Sequence, residues 1–153
     1  MEIFESFPGK NCVLFFELEK DKIIFPSLWT LWKHPGMMPH FSTFADVVPK
    51  MANGADLMLP GVVINPELGM KAYNNGLIQK NDPLAVNLTK NKASVALGTA
   101  HMTSEDMYMS GRRGKALKIL HCYGDHLWIH CGKNTLPDLG VPEHLSFAKG
   151  NIR

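Results

Sequence analysis

Short runs of β-forming residues, separated by a few residues of turn chemistry, dominate the middle of this 153-residue chain. The breaks between the runs are rich in Pro, Gly, Asn and Asp, which are the residues that turns prefer. Four runs stand out, at 57–59, 62–64, 84–88 and 94–100. Short strands at this spacing are typical of a small barrel, so the sequence predicts an α+β fold built on a β pseudo-barrel with short helices.

Three short helices are predicted beside these strands from their start and stop signals, at 26–34, 46–53 and 103–109. The first starts at Pro26, because proline is tolerated in the first turn of a helix. The second has Asp46 as its N-cap and stops at Gly54. The third is capped by Thr103, with an acidic residue three positions later as in a capping box.

Further strands are predicted toward both ends of the chain. The residues 11–18 form an almost continuous apolar run, which indicates a strand buried on both faces. Near the other end, 115–123 and 126–131 are predicted to form a terminal hairpin around the turn Gly124-Asp125.

Charge is distributed unevenly along the chain. The net charge is +2, but residues 90–133 contain seven basic and three acidic side chains, so that this part carries +4 and the remainder −2. A locally basic region on a nearly neutral protein fits an anionic partner such as an RNA backbone better than it fits a membrane surface. The alternative is a solvated basic face without a partner.

The cysteines and the first residues indicate a cytoplasmic protein. Cys12, Cys122 and Cys131 lie in apolar stretches, and their odd number favours a reduced protein over a disulfide framework. Glu2 and Glu5 stand where a secretory segment would be basic, and no apolar run approaches the ~20 residues that span a bilayer. We therefore expect no membrane partner.

A cluster of metal-ligating residue types invites a zinc hypothesis, at His121, Cys122, His126, His130 and Cys131. No Cys-x-x-Cys pair occurs, and alternation along a strand would turn His121 and Cys122 to opposite faces, so we reject the hypothesis. The cysteines are expected to pack and the histidines to lie on the barrel exterior. The sequence also lacks a P-loop and a nucleophile elbow, and Asp125 and His126 would face apart on a strand. We expect no metal, no cofactor and no catalysis.

Two glycine-containing segments are candidate RNA contacts. The first is the helix-to-strand loop that contains Gly54, Ala55, Asp56 and Gly61. Glycine lets a backbone approach a ligand closely and exposes N–H groups that phosphate oxygens or a ribose can accept. The alternative is that these glycines only form turns.

The second candidate segment is basic and begins after Gly111. Arg112 and Arg113 offer guanidinium groups that bind phosphates bidentately, while Lys115 and Lys118 supply point charges. Such contacts position RNA without reading its sequence, so binding is expected to weaken as salt rises.

An interaction with proteins is the alternative function. Trp29, Trp32 and some of the nine methionines would form its docking surface, with RNA binding incidental. Packing in the core or between domains is nevertheless the favoured role of the two tryptophans. Met107 and Met109 cannot share one helix face, so at least one of them is expected to meet solvent or a partner.

Several segments resemble a known family. Residues 53–62 and 111–128 look like the opening and closing signatures of a PUA domain, a small RNA-binding β-barrel. Residues 28–35 and 95–107 are similar to the ligatin or eukaryotic translation initiation factor 2D family, which is related to the family that pairs with density-regulated protein. The resemblance covers most of residues 13 to 133.

The resemblance implies both a domain plan and a function. It predicts a truncated α/β N-terminal domain at 1–39, a PUA-type pseudo-barrel at 40–133 and a flexible tail at 134–153. It further implies a non-enzymatic translation initiation factor that binds small ribosomal subunit RNA and tRNA and assists GTP-independent tRNA placement at the P site, reinitiation and recycling. Other translation factors are possible partners, and DNA is not expected. Because the later domains of the family lie outside these residues, we expect binding without full activity.

Overall fold

The computed structural model describes residues 2–5, 13–20 and 22–143, which form two sheets joined by short helices. The strands, in chain order, are β1 (Glu2–Glu5), β2 (Val13–Glu17), β3 (Ile24–Pro26), β4 (His40–Thr43), β5 (Leu57–Met58), β6 (Pro83–Leu88), β7 (Asn91–Ala100) and β8 (Lys115–Cys122). The α-helices are α1 (Leu28–Lys33), α2 (Val48–Ala52), α3 (Ser104–Met109) and α4 (His126–His130). Short 3₁₀ segments lie at Ala45–Val47, Leu59–Gly61, Pro66–Ala72 and Asn74–Gly76.

The smaller sheet has the strand order β1-β2-β3 and is antiparallel throughout. Strand β2 buries Val13 and Phe16, whereas Leu14 and Phe15 are half-buried, so the prediction of burial on both faces was too strong. Of the predicted strand, residues 11 and 12 lie outside the described residues. Helix α1 is tied to this sheet because the Thr30 hydroxyl donates to the Leu14 carbonyl at 2.7 Å.

The larger sheet has the order β4-β6-β7-β8-β5, with β4 parallel to β6 and the other neighbours antiparallel. Its two edges are joined by one short stretch of chain. Leu57 and Met58 pair with β8, the 3₁₀ turn Leu59–Gly61 follows, and Val63 then bridges to Ser42 on β4. This closing segment, residues 57–63, turns the sheet into the pseudo-barrel that the sequence predicts.

The larger sheet is buried on both faces. Its inner face carries the barrel core, which includes Leu57, Leu84, Val86, Met107 and Leu117. Ala85 and Leu97 point to the outer face, where they pack with apolar residues of the N-terminal segment and of α4; these are Val13, Phe16, Phe25, Leu28, Trp29, Leu31, Leu127 and Cys131. The N-terminal segment and the barrel therefore share a second core.

The two tryptophans of α1 belong to this second core, which confirms the prediction that they pack rather than face solvent. Trp29 is 6% exposed and meets Trp32 edge-on, with ring centroids 6.3 Å apart. The indole N–H of Trp32 donates to the Ser94 carbonyl at 2.8 Å, which fixes α1 to β7.

The predicted terminal hairpin is wrong, because residues 126–130 form helix α4. Asp125 acts as its N-cap, with Oδ1 accepting the Trp128 N–H at 2.9 Å. The helix buries Leu127 and Cys131, four positions apart, as one helical face requires. Trp128 is half-buried and its indole N–H donates to the Asn134 carbonyl.

The other helix predictions need smaller corrections. Asp46 is not an N-cap, since it lies inside the 3₁₀ turn Ala45–Val47 that precedes α2. Pro26 ends β3, and Ser27 caps α1 instead. Thr103 caps α3 as predicted, its hydroxyl accepting the Asp106 N–H at 3.1 Å. The run 62–64 contributes only the single bridge of Val63.

The segment after α4 lies along β7 as far as the structure describes it. The Asn91 side chain donates to the Pro137 carbonyl at 2.8 Å and accepts the Leu139 N–H at 3.0 Å. The Lys92 N–H donates to the Gly140 carbonyl at 2.6 Å. The tail was predicted to be flexible over 134–153, of which 144–153 lie outside the described residues. The domain boundaries at 39/40 and 133/134 stay predictions.

Candidate nucleic-acid interface

The two candidate RNA segments lie side by side, although more than fifty residues separate them in sequence. Leu57 pairs with Leu117 and Met58 with Lys115 in the β5–β8 ladder. The Leu59 N–H donates to the Gly114 carbonyl at 2.9 Å, which continues the contact beyond the ladder. We call the surface formed by residues 54–62 and 111–118 the basic edge.

Arg112 ties the basic edge to the closing segment. Its backbone is left-handed, with φ 64°, and its side chain is half-buried. One guanidinium nitrogen, Nη2, donates to the Val62 carbonyl at 2.8 Å. A guanidinium has five N–H donors, so this bond fixes the position of the cation while other donors remain for a phosphate.

Asp56 stands between the two segments. Its Oδ2 lies 2.9 Å from the Lys115 ammonium, and its Oδ1 accepts the Ile119 N–H at 3.0 Å. Burial raises the pKa of Asp56, but the bonds from Lys115 and Ile119 and the charges of Lys115 and Lys118 outweigh it and leave the pKa below its usual value. Asp56 is therefore an anion that organises the edge and partly neutralises Lys115.

The turn at Gly54 does not offer the N–H groups that the sequence analysis expected it to offer. The Gly54 N–H donates to the Met51 carbonyl and the Ala55 N–H to the Lys50 carbonyl, both at 3.0 Å, so both groups close the end of α2. Gly54 is left-handed at φ 99°. Gly54 and Ala55 are exposed, and a ligand would meet their surface rather than their amide protons.

Gly61 serves the barrel closure. Its carbonyl accepts the Thr43 hydroxyl at 2.7 Å, and a Cβ at this position would lie 3.3 Å from Leu57 Cδ1. Glycine suits this position because a side chain would crowd the tightly packed closing segment. Gly61 therefore serves the turn, which was the alternative to an RNA contact.

Arg113 and Lys118 are the exposed cations of the basic edge. The loop that carries Arg113 is linked to α3 through Ser110, whose hydroxyl donates to the Met107 carbonyl at 2.9 Å and lies 3.4 Å from the Arg113 N–H. Together with Arg112, these side chains form a cationic surface suited to phosphate groups.

Three apolar side chains near the two candidate segments are exposed, and only Met109 among them was a candidate from the sequence. Tyr108 and Met109, at the end of α3, are 52% and 73% exposed, and Met58 on β5 is 47% exposed. The position of Met109 follows from the spacing argument, because Met107 is fully buried. Tyr108 follows the buried Met107 directly, so the same helical spacing could have predicted that Tyr108 is exposed.

The histidine and cysteine cluster is structural. His121 lies on the outer face of the barrel, as predicted for the histidines, but it is covered there and only 2% exposed, whereas His126 and His130 are exposed. His121 lies against Trp29 and Phe16, with centroid distances of 5.6 and 6.0 Å, because the N-terminal segment covers that face of the sheet.

Cys122 lies on the opposite face of β8, in the barrel core, as the alternation argument predicts. Burial, with the nearby Asp125 carboxylate adding to it, raises the pKa of its thiol to about 12. In the part of the chain that the structure describes, no group of three or more His, Cys, Asp or Glu side chains is placed to hold a metal ion. Within that same part, no helix combines the length and apolar character needed to cross a membrane.

Residues 38–126 match the family described as "elF2D, PUA domain". The chain belongs to this family. The matched range begins just before β4 and ends at the start of α4, so it contains the larger sheet, its closing segment and the whole basic edge.

Relatives in this family are named as translation initiation factors. The chain is similar to eukaryotic translation initiation factor 2D of Homo sapiens, at 41% identity over 149 residues that cover 95% of this chain and 24% of the relative. For the factor of Oryctolagus cuniculus the identity is 42% over 131 residues, covering 86% of this chain and 22% of the relative. The chain thus spans about a quarter of the length of the curated relatives that it matches.

A solved structure supports the fold. The chain is similar to a conserved PUA domain protein from Thermoplasma acidophilum, with a TM-score of 0.61 and 26% identity over 82% of this chain and 73% of that one. The α+β pseudo-barrel is of the PUA type.

Proposed function

We propose that this chain is an RNA-binding part of a translation initiation factor and that its basic edge binds RNA of the small ribosomal subunit. The observation that carries the proposal is the convergence of the two glycine-containing segments into one surface, which carries Arg112, Arg113 and Lys118. Family membership and the names of the relatives give the biological setting.

The chemistry of the edge favours contacts with the RNA backbone. Arg112 is held in place by Val62, and Arg113 and Lys118 are exposed to solvent. Guanidinium and ammonium groups bind phosphates irrespective of base identity, so the edge would recognise the shape of an RNA and depend strongly on salt.

The finer role that we propose is anchoring. In a complete factor, the chain would help to hold the small subunit while tRNA is placed at the P site without GTP, in initiation, reinitiation and recycling. It would act in the cytoplasm, without catalysis and without a membrane or DNA partner, alongside tRNA and other translation factors.

The alternative, docking of a protein through Trp29 and Trp32, is not favoured. Trp29 is buried, and Trp32 is bonded through its indole N–H to Ser94. Exposed methionines remain, with Met37 48% and Met109 73% exposed, but the two tryptophans on which this alternative depends are not available beside them.

Binding to purified small ribosomal subunits at rising salt tests the proposal. The informative variant is Arg113→Ala with Lys118→Ala, because both side chains are exposed and their removal leaves the Asp56–Lys115 pair intact. Lys90→Ala with Lys92→Ala is the matched control. It removes the same charge at the other end of β7, where Lys92 is seven residues and therefore ~23 Å along the strand from Thr99, the partner of Lys118.

We expect the first variant to bind more weakly and to lower the slope of log affinity against log salt by about 2, roughly one for each phosphate that is no longer neutralised. The control should keep the slope of the unaltered chain. Equal decreases in affinity in the two variants would mean that net charge acts rather than this surface, and unchanged binding in the first variant would overturn the role of the basic edge.

A further inference from the structure

Tyr108 stands out among the aromatic side chains. Of the phenylalanine, tyrosine and tryptophan side chains that the structure describes within 13–20 and 22–143, it is the only exposed one, at 52% exposure, and the others are buried or half-buried. It lies in the last turn of α3, shortly before the loop that carries Arg112 and Arg113. A solvent-exposed ring next to fixed cations is a combination found in single-stranded nucleic acid binding sites.

The ring is supported from one side by backbone. Gly69 is left-handed at φ 56°, and a Cβ built there would lie 3.8 Å from Cε2 and 3.9 Å from Cζ of Tyr108. A side chain at this position would therefore only touch the ring, and the segment Pro66–Ala72 lies along one side of Tyr108 while the rest of the ring faces solvent.

Helix α3 is itself held rigidly. The Ser104 hydroxyl accepts the Ile78 N–H at 3.0 Å and donates to the Tyr73 carbonyl at 2.7 Å. Met107, one residue before Tyr108, is fully buried in the barrel core. The ring is therefore placed before any ligand arrives, which reduces the entropy lost on binding.

Of the two arginines that follow α3, Arg112 has a fixed guanidinium, whereas Arg113 is anchored through its backbone and its side chain is exposed. Ser110 connects the end of α3 to Arg113, and Val62 holds the guanidinium of Arg112. Glu105 lies one helical turn before Tyr108, so the negative charge on this face lies on the side away from the arginines. A phosphate backbone would therefore pass on the arginine side, with a base directed to the ring.

We propose that Tyr108 is a stacking platform for one unpaired base of the RNA bound at the basic edge. The inference rests on the proposed function and narrows its ligand. A base within a duplex is already stacked on both faces, so only a nucleotide in a bulge, a loop or a free end can present its face to the ring. Stacking accepts any base, in keeping with phosphate contacts that carry no sequence information.

The test uses two synthetic RNA hairpins whose strands are joined by a non-nucleotide linker, so that neither has unpaired loop bases, and that differ only by a single-nucleotide bulge with 2-aminopurine as the bulged base. The unaltered chain is expected to prefer the bulged hairpin and to change the 2-aminopurine fluorescence. Tyr108→Ala should weaken that binding roughly 5- to 150-fold, the range expected for the loss of one stacked base, and should abolish the fluorescence change. The affinity for the fully paired hairpin should not change.

Three further variants separate stacking from other effects. Tyr108→Phe keeps the ring and should retain the preference, whereas Tyr108→Leu keeps apolar bulk without an aromatic face and should lose it. Met109→Ala removes a more exposed apolar neighbour and should behave as the unaltered chain. Circular dichroism of each variant confirms that it is folded.

The outcomes that overturn the proposal are distinct. Equal affinity for the two hairpins, with binding still weakened in Arg113→Ala with Lys118→Ala, would reject the platform and keep the basic edge. Equal decreases in affinity for Met109→Ala and Tyr108→Ala on both hairpins would indicate a general apolar contact, such as a protein-docking surface. No binding of either hairpin by a chain that does bind small ribosomal subunits would reject the platform and keep the proposed function, whereas no binding of the subunits either would reject both.

Discussion

The carboxylate of Asp125 holds the imidazole of His121, with Oδ2 2.7 Å from Nδ1. The same Oδ2 accepts the Cys122 N–H at 2.9 Å, and Oδ1 caps α4 through the Trp128 N–H. One side chain therefore joins the end of β8, the following turn and α4. Because His121 packs against Phe16 and Trp29, the network also supports the docking of the N-terminal segment.

Replacing Asp125 is expected to destabilise the protein in two separable steps. Asp125→Asn keeps an N-cap oxygen but removes the charged acceptor of the buried His121, which should cost about 1–3 kcal/mol in the free energy of unfolding. Asp125→Ala should cost about 1 kcal/mol more, because the cap is removed as well. Urea denaturation measures both. An unchanged midpoint for Asp125→Asn would show that the His121 contact contributes nothing to stability.

Acid is expected to destabilise the fold through Asp56 and Asp125. Burial raises the pKa of Asp125, but the hydrogen bond and charge of His121 and the N–H groups of Cys122 and Trp128 outweigh it and lower the pKa, as happens for Asp56. Both groups titrate near their ordinary pKa of about 4 in the unfolded chain, so their stabilisation is fully present above that pH. It is lost as pH falls below about 4, through the depressed pKa values of the folded state.

The thermal midpoint, measured between pH 2 and pH 7, should therefore fall below about pH 4. The fall should be shallower in Asp56→Asn with Asp125→Asn, because neither amide titrates in this range. If the thermal midpoint of that variant falls as steeply below about pH 4 as that of the unaltered chain, other carboxylates cause the acid sensitivity.

Gly98 is expected to tolerate no side chain. A Cβ there would lie 2.0 Å from the Lys118 carbonyl oxygen, at the point where the β7–β8 register shifts. Gly98→Ala should therefore destabilise the protein by about 3 kcal/mol, the upper end for overpacking, since the obstacle is backbone. Gly36→Ala is the control, because a Cβ at Gly36 would meet no atom within 4 Å. Similar denaturation midpoints for the two variants would contradict the claim that the Lys118 backbone excludes a side chain at Gly98.

The Asp56–Lys115 pair is expected to contribute more to the order of the edge than to RNA affinity. Its side chains are 24% and 36% exposed, so a double-mutant cycle with Asp56→Asn and Lys115→Met should give a coupling of about 0.2–1 kcal/mol that shrinks with salt. Lys115→Met should also weaken ribosome binding less than Arg113→Ala does, because Asp56 already compensates its charge. A larger decrease for Lys115→Met would place that lysine on the RNA.

Local signals predicted much of the fold. The strands around 84–88 and 94–100, the Thr103 cap and the Gly54 stop follow from residues adjacent in sequence, and the structure confirms each of them. The run 126–131 was ambiguous because its apolar residues fit both a strand and a helix. In the sequence, Gly124-Asp125 resembles a hairpin turn. In the structure, the Asp125 side chain caps a helix instead, by accepting the Trp128 N–H.

The missed features depend on contacts between distant residues. The burial of His121 on the outer face of the barrel could not be predicted, because nothing local indicates that β2 and α1 cover that face of the sheet. The resemblance identified both candidate RNA segments, but their pairing across β5 and β8 and the use of the Gly54 and Ala55 N–H groups required the structure. Their role in binding RNA stays a prediction.

The segment 57–63 closes the barrel, and Arg112 is bonded to it through Val62. A ligand of the basic edge would thus recognise an arrangement that exists only when the barrel is closed. Such a ligand stabilises the folded state, by about 2.7 kcal/mol in the free energy of unfolding at a hundredfold excess over Kd. The reverse also holds by thermodynamic linkage. A substitution that loosens the closing segment, even far from any bound phosphate, lowers the affinity for the ligand. Ligand binding and folding of this barrel are therefore coupled in one thermodynamic cycle.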